Sequence, residues 1–336
     1  MPADPYVLSV VIPTRGHPQV IRALESLTLA QGFHGLLVLV CGPLEDPAVA
    51  ARFKALQSAH PNLVNPEETR AFTALPDKRN AGWKHATTEI VAFLDDDVIV
   101  EPAWAREIVK PFDDPEVKLV SGPGLIPPEL PLGARLAGLA LSSGAAGYVA
   151  GRYRPEHDHP RRIRWSRIIG CNMALRRAFL EEIGGFAPDF EAGDEMFVSH
   201  ETFRRGHAIV FTPAARVDHY PRTRLARFLR QVFGYGVART RLIRRGVEVE
   251  PASLIPALWV ISLLVCGVGA FFHRAFGWLL GLDLALYFAA QAWATLRMVL
   301  RTRRAADLLL LVLIPVMHFT YGVAEIFEFF VPNRVK

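Results

Sequence analysis

Hydrophobic and polar positions divide the chain into two parts of different character. Residues 1–250 mix short apolar runs with amphipathic stretches, whereas residues 252–331 are almost uncharged except at three points. In the first part, apolar runs at residues 7–12 and 36–40 predict buried strands, and the apolar spacing over residues 17–29 predicts a helix between them. A strand, a helix and a strand in succession predict the parallel sheet of an α/β fold, which binds ligands at the carboxyl ends of its strands.

Three consecutive carboxylates follow another apolar run. Residues 90–94 predict a buried strand that ends at a polar edge, and Asp95, Asp96 and Asp97 come directly after it. Two like charges about 4 Å apart repel by about 4 kcal/mol at an effective dielectric constant near 20, so we expect a cation to hold these acids together. Mg²⁺ or Mn²⁺, bound by carboxylates and by substrate phosphates, has the appropriate ligand chemistry. An acidic turn in contact with solvent is the alternative, and the triplet alone leaves both open.

Two basic residues precede this strand. Lys78 and Arg79 lie where a helix is predicted to begin, and positive side chains at a helix N-terminus are suited to bind phosphate oxygens. Plain solvation of two surface cations is the alternative. These two residues by themselves do not separate the two interpretations.

Cysteine usage and the first residues narrow the setting. The 336 residues carry a formal net charge of +5. Cys41, Cys171 and Cys266 are odd in number and far apart, which argues against a disulfide framework and a zinc site and indicates buried thiols. The first five residues lack the basic and apolar regions of a secretory signal, so we expect the first domain to remain in the cytosol.

Three ordered stretches together resemble a known family. Residues 10–15, 78–82 and 93–97 are similar to the nucleotide-binding half of family 2 glycosyltransferases, which have the GT-A fold, a Rossmann-like α/β fold with a mostly parallel sheet. The resemblance implies a nucleoside diphosphate sugar donor and a Mg²⁺ or Mn²⁺ cofactor. It implies nucleotide-sugar contacts from Pro13, Thr14, Arg15, Arg79, Asp95 and Asp96. It also makes Asp97 the first metal ligand, with Asp95 beside it. Residues 41–46 lack the acids that often hold the base in this family, so the base stays open.

The acceptor half of the same resemblance lies further along the chain. Residues 168–177, followed by residues 183–186, resemble the stretch that forms the donor-sugar pocket, which implies a sugar contact from Asn172. Asp194 and Glu195 stand where the family usually has Glu-Asp at a helix start, here in reverse order. The resemblance implies that Glu195, with Asp194 as runner-up, takes the acceptor proton in an inverting transfer. Two acids that merely favour the helix dipole, by about 0.3–1 kcal/mol, are the alternative.

A histidine follows the next predicted strand. Residues 208–211 predict that strand, and His219 comes shortly after it. The resemblance implies that His219 completes the metal ligands or touches the diphosphate. A histidine with a purely structural hydrogen bond is the alternative, and the pattern leaves both open.

The last third of the chain predicts a membrane domain. Residues 222–245 contain eight arginines, no acid and interleaved apolar residues, which predicts basic amphipathic helices in an anionic lipid interface over residues 222–250. A basic run of this kind also occurs in proteins that bind nucleic acids. Three apolar stretches follow, at about residues 253–272, 276–296 and 308–330. Each is long enough to cross a bilayer core of about 30 Å, so we expect membrane lipids and no nucleic acid as partners.

The predicted organisation has three parts. A cytosolic GT-A domain covers residues 1–221, interfacial helices cover residues 222–250, and a membrane domain covers residues 251–336. By the positive-inside rule the arginines after the second span lie inside, which leaves the chain end outside after a third span. Asp283, within the second span, is expected to pair with another helix. Residues 132–149 are expected to form a helix and a loop at the membrane-facing side of the first domain.

The sequence thus predicts a membrane-anchored inverting glycosyltransferase of the inner (plasma) membrane that acts in cell-envelope glycan synthesis. We expect a lipid-linked acceptor, a polyprenyl phosphate or a glycolipid, because the catalytic domain is held at the bilayer. A processive polysaccharide synthase is one alternative, although residues 230–235 only faintly resemble the Gln-x-x-Arg-Trp motif of such enzymes. A catalytically inactive membrane scaffold with the same fold is the other. The sugar, the base and the oligomeric state stay open.

Overall fold

The chain folds into two compact units. The computed structural model describes residues 6–154, 157–190, 192–220 and 224–331. The α/β unit comprises Met1–Pro127 and Gly151–Tyr220, and the helical unit comprises Pro128–Ala150 and Pro221–Lys336. Residues 128–150, called the inserted segment below, therefore group with the C-terminal helices, whereas the sequence pattern places them in the first domain. The predicted boundary at residue 221, and Arg222 after it, lie outside the described residues.

The strands of the α/β unit include every strand that the apolar runs predict. In chain order they are β1 (Leu8–Pro13), β2 (Leu36–Cys41), β3 (Leu63–Val64), β4 (Ile90–Leu94), β5 (Val98–Val100), β6 (Val117–Ser121), β7 (Gly124–Leu125), β8 (Arg161–Arg162), β9 (Asn172–Arg176), β10 (Ala208–Phe211) and β11 (Val217–His219). β1, β2 and β4 are buried along their whole length, as expected for strands of a sheet that is covered on both faces.

Eight of these strands form one mixed sheet, in the order β3-β2-β1-β4-β9-β6-β10-β8. The pairs from β3 to β4 are parallel, as are β6 and β10, which confirms the predicted α/β class. β9 runs antiparallel between β4 and β6, so its first residue, Asn172, lies opposite Leu94 at the end of β4. A second, small sheet has the order β5-β11-β7. Both sheets therefore bring chain segments to the end of β4, where the Asp triplet begins.

The helices also match the predicted amphipathic and apolar stretches. In chain order they are α1 (Gln19–Thr28), α2 (Pro47–Ala59), α3 (Leu75–His85), α4 (Trp104–Val109), α5 (Leu132–Ser142), α6 (Arg177–Ile183), α7 (Asp194–Arg204), α8 (Leu225–Arg244), α9 (Ile255–Gly269), α10 (Arg274–Thr302) and α11 (Leu310–Phe330). Local capping explains where some begin and end. The Asp46 side chain caps α2 by accepting from Ala48 N and Val49 N, and Gly184 ends α6 with a φ of 77° that glycine adopts readily.

Three helical stretches of the helical unit are long and apolar enough to cross a membrane. They are Pro251–Gly269, Arg274–Thr302 and Ala305–Phe330, with 19, 29 and 26 residues. The predicted lengths and compositions are thereby confirmed. Asp283 on α10 accepts a hydrogen bond of 2.6 Å from the Ser262 hydroxyl of α9, so its predicted pairing with another helix is confirmed as well. The inserted segment contributes α5, as the expected helix and loop require.

The basic helix α8 packs against α11 through its apolar face. Phe228 and Val232 are buried in one cluster with Leu310, Leu313, Ile314 and Met317 of α11, Met298 of α10 and three residues of α5. The predicted amphipathic pattern is therefore real. Its apolar side faces other helices of the same unit, and burial of that side is the main source of stability for such a helix.

Candidate active site

The Asp triplet starts directly after β4, at the carboxyl ends of β1 and β4. Asp95 N donates to the Cys171 carbonyl at 3.4 Å, which ties the triplet to the residue that precedes β9. The chain then turns into β5, so the three acids occupy a tight connection between the two sheets. This position is the edge at which parallel α/β sheets bind ligands.

Asp96 fixes the loop after β1. The Thr14 hydroxyl donates to Asp96 Oδ2 at 2.6 Å and accepts from Gly16 N at 2.9 Å. Burial raises the pKa of Asp96, and the hydrogen bond from Thr14 opposes that shift. Thr14 is buried, whereas the Arg15 side chain is exposed. The loop thus presents an exposed guanidinium side chain at the end of β1, on a backbone held by Asp96.

A single buried guanidinium joins the triplet to the start of α7. Arg79, on α3, is 2% exposed, and its Nη1 donates to both carboxylate oxygens of Asp194 at 2.8 and 2.9 Å. Its Nη2 donates to Asp95 Oδ1 at 3.3 Å and to the Gly170 carbonyl at 3.0 Å. Burial alone would lower the pKa of Arg79, but the carboxylates of Asp194 and Asp95 raise it above its usual value. Arg79 is therefore a permanent cation between two groups of acids.

The two adjacent acids of α7 have different surroundings. Asp194 has no exposed surface, and both of its oxygens are engaged by Arg79. Glu195 is only half-buried and reaches past Gly170, since a Cβ placed on Gly170 would lie 3.2 Å from Glu195 Cδ and 3.2 Å from Arg79 Nη2. Because glycine has no side chain, Gly170 leaves space for the Glu195 carboxylate beside Arg79.

Asp95, Asp97 and His219 converge at the other end of the triplet. A carboxylate oxygen of Asp95, a ring nitrogen of His219 and Cys171 Sγ lie within 4.8 Å of one another. His219 is positioned by β11, whose pairing with β5 sets it opposite Val98, and its Nε2 is 3.5 Å from Asp97 Oδ1. Among the described residues, that buried Asp97 oxygen accepts no hydrogen bond. A buried acceptor of this kind fits a bound cation.

Electrostatics and ligand chemistry favour an oxygen- and nitrogen-bound metal at this cluster. Burial raises the pKa of Asp95 to about 6; Asp97 adds to this shift and Arg79 opposes it. Burial also raises the pKa of Cys171 well above its usual value, and a soft sulfur is not the ligand type that Mg²⁺ or Mn²⁺ prefers. Two carboxylates and an imidazole are ligand types that Mn²⁺ accepts, and the carboxylates also suit Mg²⁺. The residues present therefore fit a divalent ion of either kind.

Comparison with known proteins places this geometry in a family. Residues 5–234 match the family model described as "Glycosyltransferase like family 2". The chain belongs to this family. The match covers the α/β unit, including the triplet, the Arg79 bridge and the start of α7, and it extends into α8.

Relatives and a solved structure agree with this membership. A pre-mycofactocin glycosyltransferase from Mycobacterium tuberculosis is 26% identical over 274 residues, which cover 78% of this chain and 54% of the relative. The O-antigen biosynthesis protein RfbC from Myxococcus xanthus is 28% identical over 225 residues, which cover 63% of this chain and 17% of that protein. The chain thus spans about half the length of the first relative and less of the second.

The solved structure is the mannosyltransferase PcManGT from Pyrobaculum calidifontis in complex with GDP-Man and Mn²⁺. Its TM-score to this chain is 0.58 at 20% identity, with 97% of this chain and 89% of the mannosyltransferase covered. At this identity the likeness shows the fold, which is of the GT-A type predicted from the sequence.

One predicted contact of this family member takes a different role. Asn172 has no exposed surface, so its side chain does not reach a donor sugar. Its Oδ1 accepts from Trp104 Nε1 at 2.9 Å, and its Nδ2 donates to the carbonyls of Pro123 and Ala215 at 3.0 and 2.7 Å. The predicted sugar contact is therefore replaced by a supporting role beneath the site. The sequence pattern cannot distinguish an asparagine that contacts the donor sugar from one that forms structural hydrogen bonds, since both stand at the start of a strand.

Two residues of the site had weak or no sequence signals. Lys78 is 2% exposed and donates from Nζ to the Thr14 carbonyl at 2.7 Å; burial, with Arg15 nearby, lowers the pKa of Lys78. It therefore supports the loop after β1 from below. Gly42 follows β2 with a φ of 133°, and a Cβ there would lie 2.1 Å from the Thr14 carbonyl oxygen. A glycine directly after a strand is the only hint of this close approach that the sequence offers.

Proposed function

We propose that this chain is a metal-dependent inverting glycosyltransferase, anchored at a membrane, that moves a sugar from a nucleoside diphosphate sugar to a lipid-linked acceptor. The observation that carries the proposal is the convergence of the acids after β4 and the acids at the start of α7 on one buried guanidinium, that of Arg79. This arrangement holds a metal-binding group and the half-buried Glu195 carboxylate in fixed positions at one edge of the sheet. Membership of the glycosyltransferase family supports the reaction type.

The donor side follows from the residues around the triplet. Asp95, Asp97 and His219 would hold the divalent ion, which, when bound, would stabilise the negative charge of the departing diphosphate. The exposed Arg15, on the loop that Thr14 and Asp96 fix, would meet the diphosphate oxygens. Preorganised positive groups of this kind favour the transition state because they need no rearrangement when charge develops.

Glu195 is the candidate base. Asp194 is committed to Arg79 through both of its oxygens, so only the neighbouring Glu195 has a carboxylate with exposed surface. Glu195 would accept the proton of the acceptor hydroxyl while that oxygen bonds to the anomeric carbon. The bond from this carbon to the diphosphate breaks at the same time, and the nucleoside diphosphate leaves with inversion at the carbon. Arg79 would keep α7, and with it Glu195, in register with the donor side.

A lipid-linked acceptor is proposed because the chain carries helices that are long and apolar enough for a membrane. The test uses membranes from cells that express the full chain, incubated with a panel of radiolabelled nucleotide sugars. GDP-mannose is the first donor to try, since the structural neighbour was solved with it. We expect label in the organic extract, lost with a chelator and restored by Mn²⁺ or Mg²⁺.

The controls separate the parts of this proposal. Glu195→Gln should reduce transfer by about 10²–10⁴-fold, whereas Glu181→Gln, on the exposed surface of α6, should leave it unchanged. Label found only in a water-soluble product would refute the lipid-linked acceptor. No transfer from any donor, with the chain folded and membrane-bound, would refute the glycosyltransferase activity itself.

A further inference from the structure

The helices α8 and α11 lie side by side in parallel over their whole lengths, which are 20 and 21 residues. Near their beginnings, Phe228 and Val232 pack in one cluster with Leu313. Further along, a Cβ on Gly236 would lie 2.5 Å from the Tyr321 carbonyl oxygen, and near the end Arg244 Nη2 donates to the Phe329 carbonyl at 2.7 Å. The end of α8 therefore lies beside the end of α11.

A hydrogen bond and two ion pairs near the helix ends reinforce this register. Thr240 Oγ1 donates to the Glu325 carbonyl at 3.2 Å, and Arg241 Nε donates to Glu328 Oε1 at 3.0 Å. Arg244 adds a second cation 3.6 Å from the same Glu328 carboxylate. The Glu328 carboxylate near the end of α11 is thus paired with two arginines at the end of α8, and the two helices hold the same position relative to any membrane.

The inserted segment also packs along α11. Arg135 Nη1 of α5 lies 2.5 Å from Oδ1 of Asp307, which comes just before α11. The Ala145 carbonyl oxygen is 3.1 Å from His318 Nε2, in the middle of α11. Both ends of this segment continue into the α/β unit. To cross a bilayer beside α11 and return, a chain needs about 20 helical residues in each direction, and residues 128–150 are too few.

These contacts conflict with three consecutive crossings. If α8 lay on the inner surface and α11 crossed, Arg244 and Phe329 would be on opposite faces of the bilayer, yet they share a hydrogen bond. We propose instead that α9 and α10 form a single transmembrane hairpin, and that α11 lies with α8 and α5 in the lipid interface on the side where α8 begins. This inference rests on the proposed membrane anchoring and replaces the predicted outward exit of α11.

The exposure of the helices fits this division. α9 has no buried residue, whereas α11 buries eight of its 21 residues. The hairpin tip carries Phe271 and Phe272, 91% and 83% exposed, followed by Arg274. About 20 apolar residues in each arm match the hydrocarbon thickness. Lipid is therefore the partner that covers this hairpin.

The interface helices have the opposite character. α11 buries eight residues against its neighbours, and α8 keeps Arg227 and Arg230 exposed along its first half. The exposed arginines of α8 and the exposed apolar residues of α11, such as Val312 and Val316, suit the boundary between anionic headgroups and acyl chains. The end of α11 then stays on the same side as the connection between α8 and α9.

Cysteine accessibility in intact cells tests the proposal on the full chain. Arg274→Cys places a thiol at the hairpin tip, and a cysteine appended after Lys336 marks the segment that follows α11. The matched control is Asp113→Cys on the exposed surface of the α/β unit. The unchanged chain gives the background, with Cys41 and Cys171 buried and Cys266 of α9 partly exposed. With a membrane-impermeant maleimide we expect Arg274→Cys to react in intact cells, and the appended cysteine to react, like Asp113→Cys, only after permeabilisation.

Two results would overturn the inference. Labelling of the appended cysteine in intact cells would restore a third crossing, and protection of Arg274→Cys until permeabilisation would show that the hairpin does not cross. The parallel packing of α8 and α11, on which the inference depends, has its own test. Cysteines placed by Arg241→Cys and Glu328→Cys should cross-link in membranes, and failure to cross-link would contradict this packing. None of these readouts needs activity. An inactive chain with the expected labelling refutes only the proposed function, whereas a chain found in the soluble fraction refutes both.

Discussion

Both units bury an arginine against an aspartate, and the surroundings of the two pairs differ. In the α/β unit, Arg79 Nη1 lies 2.8 Å from Asp194 Oδ1, and the two side chains are 2% and 0% exposed. In the helical unit, Arg135 Nη1 lies 2.5 Å from Asp307 Oδ1, and the two side chains are 8% and 0% exposed. Asp95 lies 3.3 Å from Arg79 as a second carboxylate, whereas Asp307 takes its further hydrogen bond from the neutral Thr302 hydroxyl.

The difference shows what turns a buried ion pair into part of a site. In the helical unit the charges of Arg135 and Asp307 balance, and the pair closes the inserted segment onto the start of α11. In the α/β unit one guanidinium faces more carboxylates than it can neutralise, so the excess negative charge needs a further cation. Uncompensated carboxylates, more than burial, therefore mark the candidate active site.

Removal of each arginine gives the largest expected effects. Arg79→Leu and Arg135→Leu should each lower the free energy of unfolding by about 3–5 kcal/mol, because each leaves a buried carboxylate without its partner. Thermal unfolding of the purified chain in detergent measures this loss. The double variants Arg79→Leu/Asp194→Leu and Arg135→Leu/Asp307→Leu should recover stability. If the first double variant also recovered full transfer activity, both pairs would serve the fold alone and the comparison would fail.

Neutralisation of the candidate base affects turnover. Glu195→Gln should reduce kcat by about 10²–10⁴-fold, the usual contribution of a general base, with no loss of thermal stability. Asp194→Asn should lower the unfolding temperature because it breaks the pair with Arg79. Steady-state kinetics and thermal unfolding on both variants distinguish the two roles. A stable Asp194→Asn enzyme with lost turnover, next to an active Glu195→Gln, would exchange the assignments.

A metal ligand should show itself in metal affinity. Asp97→Ala should weaken Mn²⁺ binding by at least about tenfold, the scale seen even for residues that only support metal ligands. Without metal its unfolding temperature should not fall, since the substitution removes a negative charge from the triplet. Calorimetric titration with Mn²⁺ measures the affinity. Asp113→Ala, an exposed acid of the same unit, should bind Mn²⁺ as the unchanged chain does.

The smallest effect concerns pH. Because the pKa of Asp95 is raised to about 6 and a metal ligand must be deprotonated, Mn²⁺ affinity should be constant well above pH 6 and fall as the pH drops through that value. At pH 6 about half of the metal-free protein carries the proton, so the affinity should be about twofold lower than at pH 7.5. Titrations across this range check the sign. Asp95→Asn should remove the contribution of this carboxyl to the dependence.

Local sequence patterns predicted the separate stretches that form the site. They did not predict the contacts between those stretches. The apolar run before Asp95, the loop after β1 and the acids that open α7 all stand in local sequence, and each was predicted at its observed position. The bond between Arg79 and Asp194 joins residues 115 positions apart, and no periodicity reports such a pairing. The same limit applies to Cys171, which is close to Asp95 and His219 only because β9 lies antiparallel beside β4.

The helical unit shows this limit on a larger scale. Composition correctly indicated apolar helices and a basic amphipathic helix. It could not indicate that α8 and α11 run in parallel, because the register depends on which faces meet, such as Gly236 against Tyr321. The inserted segment was likewise assigned by its position in the chain, whereas Arg135 ties it to Asp307 across the fold.

The buried amide of Asn172 also bears on the order in which the α/β unit assembles. Its hydrogen bonds reach Trp104, Pro123 and Ala215, which are 68, 49 and 43 residues away along the chain. Contacts across such separations require loop closure, and the entropic cost of closing these loops slows folding. Asn172 therefore stabilises a junction of three distant chain segments whose assembly is a slow part of folding.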